Sequence, residues 1–214
     1  MRDKYEMQLR KLHAEMIEMG TMIEQAIETA IKALVAQDTE LAKKAIEADD
    51  AIDHQEREIE NLCLKLFLTQ QPVAGDMRNI SAALKMITDM ERIGDHAADI
   101  SEMTILMAGT PYIRNIEHLQ TMAKEAMVML VKSIEAYVEK DLEKAEKVIE
   151  SDDVIDDLFD QIKAELIDAI HQNPDNGEQA ADLLMVSKYL ERIGDHATNI
   201  AEWVIFSITG NHPG

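Results

Sequence analysis

Cysteine, proline and aromatic residues are all scarce in this chain of 214 residues, which has one Cys, four Pro and 4% aromatics. The lone cysteine, Cys63, excludes an intramolecular disulfide and lies in an apolar helical run, where it reads as a buried, inert thiol. Few prolines leave long uninterrupted segments. With so few aromatics and 14 Met, the chain suits helices packed by flexible aliphatic side chains better than a sheet. Long apolar runs are missing as well. The longest, Ala126 to Val131, is far short of the ~18 residues that suggest a membrane span. The N-terminal MRDKYEMQLRKLHAEMIEMG is charged throughout and lacks the apolar core of a secretory signal. Basic charge is also in deficit: 21 Lys and Arg face 42 Asp and Glu, a formal charge of −21. Such a surface repels nucleic acid and anionic lipid headgroups and attracts cations or basic patches on a protein partner.

What fills the chain is helical periodicity. Met16, Met19, Ile23, Ala26, Ile27, Ala30 and Leu34 follow the three- and four-residue steps of one buried face. Breaks are expected at Gln37-Asp38-Thr39, Gln71-Pro72-Val73-Ala74-Gly75, Gly109-Thr110-Pro111, Lys140-Asp141 and Asn173-Pro174-Asp175-Asn176-Gly177. They predict six helices, over about residues 4–36, 39–70, 75–108, 111–138, 141–172 and 178–208. These divide three and three. IEADDAID at 46–53 is answered by IESDDVID at 149–156, Pro72 by Pro174, and ERIGDH at 91–96 by ERIGDH at 191–196. The predicted fold is all-α, a tandem, pseudo-symmetric pair of three-helix bundles made of six long antiparallel helices, with domains at 1–110 and 111–214.

The repeated segments carry carboxylates in rows. On a helical wheel Glu91, Asp95, Asp99 and Glu102 form one stripe, and the second copy gives Glu191, Asp195, Asn199 and Glu202. Asp49, Asp53, Glu56 and Glu60 make a similar row on the second helix. On the fifth, Asp152 and Asp156 remain while Phe159 and Lys163 interrupt the row. Antiparallel pairing sets Asp53 opposite about position 93 and Asp49 in the region of Ala97, and in the second half Asp156 opposite Asp195 and Asp152 opposite Ile200, to within about a turn. Such a stripe is either a solvated acidic face, since the apolar residues of that helix lie opposite it, or a set of cation ligands. Like charges at i and i+4 destabilise a helix by about 0.2–0.5 kcal/mol per pair, and no lysine is spaced to relieve them. A bound cation reverses that sign. Oxygen clusters suit Mg²⁺, Ca²⁺, Mn²⁺ or iron, whereas structural zinc favours Cys or His. Gly94 and Gly194 read as points of close helix approach, and Arg92 and Arg192 as local partners of Asp95 and Asp195. His96 and His196 are helix-surface or hydrogen-bonded histidines, metal ligands or phosphoacceptors.

The chain has no Glu-x-x-His pair, GxxxxGK[ST] loop, GxGxxG, EF-hand loop or HExxH, so the common diiron, nucleotide, calcium and zinc-protease signatures are absent. The doubled ERIGDH at the end of a third helix, with Asp-Asp-x-Ile-Asp at 49–53 and 152–156, closely resembles the PhoU family of phosphate-signalling regulators over nearly the whole chain. That resemblance implies a cytoplasmic, non-enzymatic and typically dimeric adaptor. It would link the phosphate-specific ABC transporter to its sensor histidine kinase, restrain uptake and repress the phosphate-starvation response, reaching the membrane only through protein partners. It also implies metal (iron, magnesium, manganese or zinc, in some members multinuclear iron) on Asp49, Asp53, Glu91, Asp95, Asp152, Asp156, Glu191 and Asp195, with Asp99 and Asn199 extending the rows. The interruption at Phe159 and Lys163 sets equal occupancy of the two halves in question. The competing expectation is a histidine phosphotransfer bundle using His96 or His196.

Overall fold

Left-handed backbone ends the first helix of each half, at Gln37 (φ 52°) and Lys140 (φ 57°). An aspartate restarts the chain directly afterwards. Asp38 accepts hydrogen bonds from the backbone N–H of Glu40 and Leu41, and Asp141 from that of Lys144, so donors at both new helix starts are satisfied. These two breaks were legible in the sequence.

The computed structural model describes residues 2–69 and 73–213, and among these no strand occurs. The helices are α1 (Arg2–Ala36), α2 (Thr39–Glu47), α3 (Asp49–Thr69), α4 (Ala74–Met107), α5 (Glu117–Glu139), α6 (Leu142–Glu150), α7 (Asp152–Gln172) and α8 (Gly177–Thr209). The tandem pair of helical bundles is as expected, with three boundary corrections. The second and fifth predicted helices, 39–70 and 141–172, are each bent, at Ala48 and Ser151, into α2/α3 and α6/α7. Asp49-Asp50 and Asp152-Asp153 open the new helices, where the positive end of the helix dipole favours carboxylates. The same acidic dipeptides that mark the candidate site therefore also mark a helix start. The fourth helix begins at Glu117 and not at 111. The break predicted around Gln71 and Pro72 falls largely outside the described residues.

Residues 108–116 form a connector held by both halves. Gln37 Nε2 donates to the Thr110 carbonyl at 2.7 Å, and the Tyr112 hydroxyl donates to the Leu34 carbonyl. From the other side, the Gln179 amide accepts from Ile113 N at 2.6 Å and donates to the Pro111 carbonyl at 3.1 Å. Arg114 pairs with Asp168 at 2.6 Å. The Thr110 and Pro111 carbonyls and the Ile113 N–H of this connector are thus satisfied by side chains.

The long helices α4 and α8 lie against each other as the central pair, with α1 and α3 packed on α4 and α5 and α7 on α8. One apolar cluster runs through both halves, from Leu12, Met16 and Ile23 of α1 to Leu190, Ile193 and Val204 of α8. Each such side chain contributes about 1.5–3 kcal/mol on burial, and the seam between the halves is part of the core.

Candidate metal centre

Close helix approach is what brings the carboxylate rows together. Gly94 and Gly194 are both buried, and a Cβ on Gly94 would lie 3.1 Å from Ile52 Cγ2 and 3.2 Å from Asp49 Oδ1. On Gly194 it would lie 3.1 Å from Ile155 Cγ2 and 3.3 Å from Asp152 Oδ1. The glycine of each ERIGDH therefore seats the first aspartate of the facing helix over the motif. This also corrects the register: Asp49 sits above Gly94, one turn from Ala97, and Asp152 sits above Gly194, well short of Ile200. The bends at Ala48 and Ser151, and a 3-10 turn at Pro174–Asn176 between α7 and α8, shift the antiparallel count.

In the first half, Asp49, Asp53 and Asp95 each offer a carboxylate oxygen within 4.8 Å of the others. Asp53 and Asp95 keep their outer oxygens occupied: Arg57 Nη2 lies 3.3 Å from Asp53 Oδ2 and Arg92 Nη1 2.7 Å from Asp95 Oδ2. Arg92 Nε also reaches Glu91 at 3.5 Å. The inner oxygens, Oδ1 of Asp49 and of Asp53, are buried without a hydrogen-bond partner. Burial first, and then the charges of Asp95, Asp53, Asp50 and Asp99, push the Asp49 carboxyl up to about 6. Burial likewise raises Glu56 and Glu91, with Glu60 the next cause at Glu56 and Asp95 at Glu91. Arg92 offsets part of this repulsion at Glu91, and Arg57 and Arg92 at Glu56; what is left is what a cation would remove.

The second half is similar but not equal. Asp152 is raised to about 6, by burial and then by Asp195 and Asp156, and its Oδ1 is also buried and unpartnered. Asp156 and Asp195, however, are exposed where Asp53 and Asp95 are partly buried. Lys188 forms an ion pair with Glu191, and its Nζ lies 5.5 Å from the Phe159 ring centroid. The expectation that no lysine relieves this row is therefore wrong for Glu191. Lys188 stands three residues before it, the i,i+3 spacing that could have revealed it in the sequence.

Asp99 and Asn199 point elsewhere. Asp99 is 3.0 Å from His96 Nδ1, and Asn199 Nδ2 donates to Asp89 Oδ1 at 3.2 Å. His196 Nδ1 shares that same Asp89 oxygen at 2.8 Å. The two histidine rings stand 5.6 Å apart, with His96 also stacked on Tyr189 at 5.7 Å. His96 is only 8% exposed, so it is not presented to a phosphotransfer partner. Both histidines belong to the polar part of the α4/α8 seam. Asp89 was missed, because its partners lie more than a hundred residues away in the chain.

The PhoU domain profile matches residues 16–104 and again 119–204, the two halves seen in the fold. The chain is 40% identical over 207 residues to the phosphate-specific transport system accessory protein PhoU homolog of Clostridium acetobutylicum, covering 96% of this chain and 94% of that protein. The crystal structure of PhoU from Pseudomonas aeruginosa superposes with a TM-score of 0.91 at 28% identity, covering 97% of this chain and 100% of that one. The phosphate transport system regulatory protein PhoU from Streptococcus pneumoniae gives 0.90 at 25% identity, over 98% and 99%. The doubled profile, the relative aligned almost end to end and the shared bundle pair place this chain in the PhoU family.

Proposed function

We propose that this protein is a cytoplasmic, non-enzymatic regulator of phosphate homeostasis whose acidic rows bind metal. It couples a phosphate-specific ABC transporter to its sensor histidine kinase, and restrains uptake and the starvation response when phosphate is plentiful. Relatives named as accessory proteins of phosphate-specific transport support the transport half of this reading. A charge of −21, and no helix among the described residues long and apolar enough to cross a membrane, support contact with the membrane through protein partners alone. A homodimer is the proposed working form.

The metal role rests on the convergence of Asp49, Asp53 and Asp95 within 4.8 Å, with two inner oxygens buried and unpartnered. This all-oxygen donor set fits Mg²⁺, Mn²⁺ or iron; zinc, which favours nitrogen and sulfur, fits it least. Asp49, Asp53 and Asp95 would hold the ion, with Glu91 and Glu56 beside them. When bound, it supplies positive charge that neutralises the acidic face. Arg57 and Arg92 hold the outer oxygens and keep the inner ones turned together, so the face offered to a kinase or transporter subunit depends on occupancy.

The test compares the wild type with Asp49→Asn/Asp95→Asn, both purified without a histidine tag and checked for helicity. Elemental analysis and capture of the transporter ATPase and the kinase are expected to fall together. Unchanged metal content refutes the site, and unchanged capture refutes the docking role.

A further inference from the structure

We infer that the outer tip of the α3–α4 hairpin is the surface on which a second copy of this chain docks, two-fold and face to face. The inference rests on the homodimer reading above and names the surface which that reading needs. Leu62, Cys63 and Leu66 turn into the core, whereas Leu64 and Leu68, four residues apart on the other side of α3, are 47% and 84% exposed. Across the turn Val73 and Met77, again four apart, are 68% and 48% exposed at the start of α4. Met7 of α1 is 57% exposed at the same end, where Asp76 is close enough to Tyr5 to act on its hydroxyl. The bundle does not require such a tip. In the second half, the offsets that align Asp49 with Asp152 and Glu91 with Glu191 put His171 in the place of Leu68 and Gly177 in that of Met77, and the turn reads Asn173-Pro174-Asp175-Asn176. The same hairpin is thus built there with a polar tip, and an exposed apolar cluster in the first half marks a contact surface.

Charge and area select the occupant. Over most of its surface a chain of −21 repels its own copy. Residues 61–80 carry Lys65 and Arg78 against Asp76, and residues 5–12 carry Arg10 and Lys11 against Glu6, so these segments stand at +2 and hold none of the acidic excess. Charges further than about 8 Å away are largely screened at physiological salt, and two such ends meet without the repulsion found elsewhere. The five side chains expose on the order of 300 Å² of apolar surface per copy. A standard interface buries about 800 Å² per partner, a little more than half of it apolar, so the tip supplies about two-thirds of the apolar share and suits a weak, reversible dimer. A two-fold axis through the tip lays Leu64 and Leu68 of one copy on Val73 and Met77 of the other, so each stripe is used twice.

Sedimentation velocity of the tag-free full chain in EDTA, at about 1 to 200 µM, reads this directly. The wild type is expected to show a monomer–dimer equilibrium with a Kd on the order of 10 µM. Leu68→Glu and Leu68→Glu/Val73→Glu should each weaken it by about tenfold or more, because a carboxylate would be buried without a partner. Ile167→Glu, in the place of Leu64 in the second half, adds the same charge away from the tip and should leave the Kd within about twofold. Raising NaCl from about 0.05 to 0.5 M should tighten the dimer by screening the repulsion that remains. A monomer at every concentration overturns the homodimer reading and this inference with it. A dimer that is unmoved by the Leu68 variants, or that loosens with salt, overturns the surface alone. A wild type that stays monomeric but sediments with phosphatidylglycerol vesicles, and loses this in Leu68→Glu, gives the tip to a lipid surface and overturns the inference as well.

Discussion

Replacing Asp49 by asparagine should stabilise the metal-free protein at neutral pH and leave it unchanged at pH ~3, below the ordinary carboxyl range. The Asp49 carboxyl is raised from an ordinary 3.8 to about 6, first by burial and then by its acidic neighbours. At ~1.4 kcal/mol per tenfold change in proton affinity, this corresponds to a ceiling of about 3 kcal/mol. The side chain is only partly buried, so solvent screening lowers the effect to about 1 kcal/mol. Loss of a charge at the start of α3 subtracts a few tenths, ~0.3 kcal/mol, through the helix dipole. A group whose folded pKa is raised stabilises the fold fully below its unfolded pKa and loses that contribution as pH rises through the folded value. The penalty in the wild type is therefore absent near pH 3, below the unfolded value of 3.8, and complete above pH ~7. Urea melts followed by circular dichroism on metal-free protein should show Asp49→Asn gaining about 1 kcal/mol at pH 7.5, or roughly 2–4 °C in Tm, and almost nothing at pH ~3. Saturating Mn²⁺ should reverse the order by stabilising only the wild type. An equal increment at both pH values, or a loss at pH 7.5 without metal, refutes the account of Asp49 as a carboxyl held against its own charge.

Gly94→Leu should force α3 away from α4, since even a Cβ there would lie 3.1 Å from Ile52 and 3.2 Å from Asp49. A cost of about 2–3 kcal/mol in denaturant melts, together with weaker Mn²⁺ binding, is the expected result. Tyr137→Phe removes a fully buried hydroxyl that donates to the Asn79 carbonyl at 2.9 Å, and should cost about 1–2 kcal/mol by the same melts. Cys63 is buried and its thiol is pushed up to about 12, first by burial and then by Glu60. A thiol-disulfide reagent at pH 8 should therefore modify it in urea but not in the native protein.

Parts of the candidate site were legible before the structure because they follow from the chain alone. The i,i+4 spacing of Glu91 and Asp95 fixes both on one helix face whatever the helix packs against. Gly94 in a helix interior signals a close approach, because alanine would otherwise be favoured by about 1 kcal/mol. The bend at Ala48 was hidden because Asp49 reads in the sequence as part of the acidic row and, with Asp50, also opens a helix. Lys188 could have been found by setting the repeats against each other position by position, and the pairing of Asp89 with His196 and Asn199 could not.

By itself the sequence determined the helical class, the doubling, the polar and apolar faces of each helix and the residues that form the acidic rows. These depend on local periodicity and on residues a few positions apart, where covalent geometry sets the distance. Only the tertiary structure decided which oxygens meet, which rows are relieved by a cation of the chain's own, and where the histidines go. Asp49, Asp53 and Asp95 come within 4.8 Å because Gly94 admits Ile52 and Asp49, and Asp89 reaches His196 because α4 and α8 pack along one seam. Those contacts join segments far apart in the chain, and it is the shared core around the central pair, not the pattern of either helix, that sets their register.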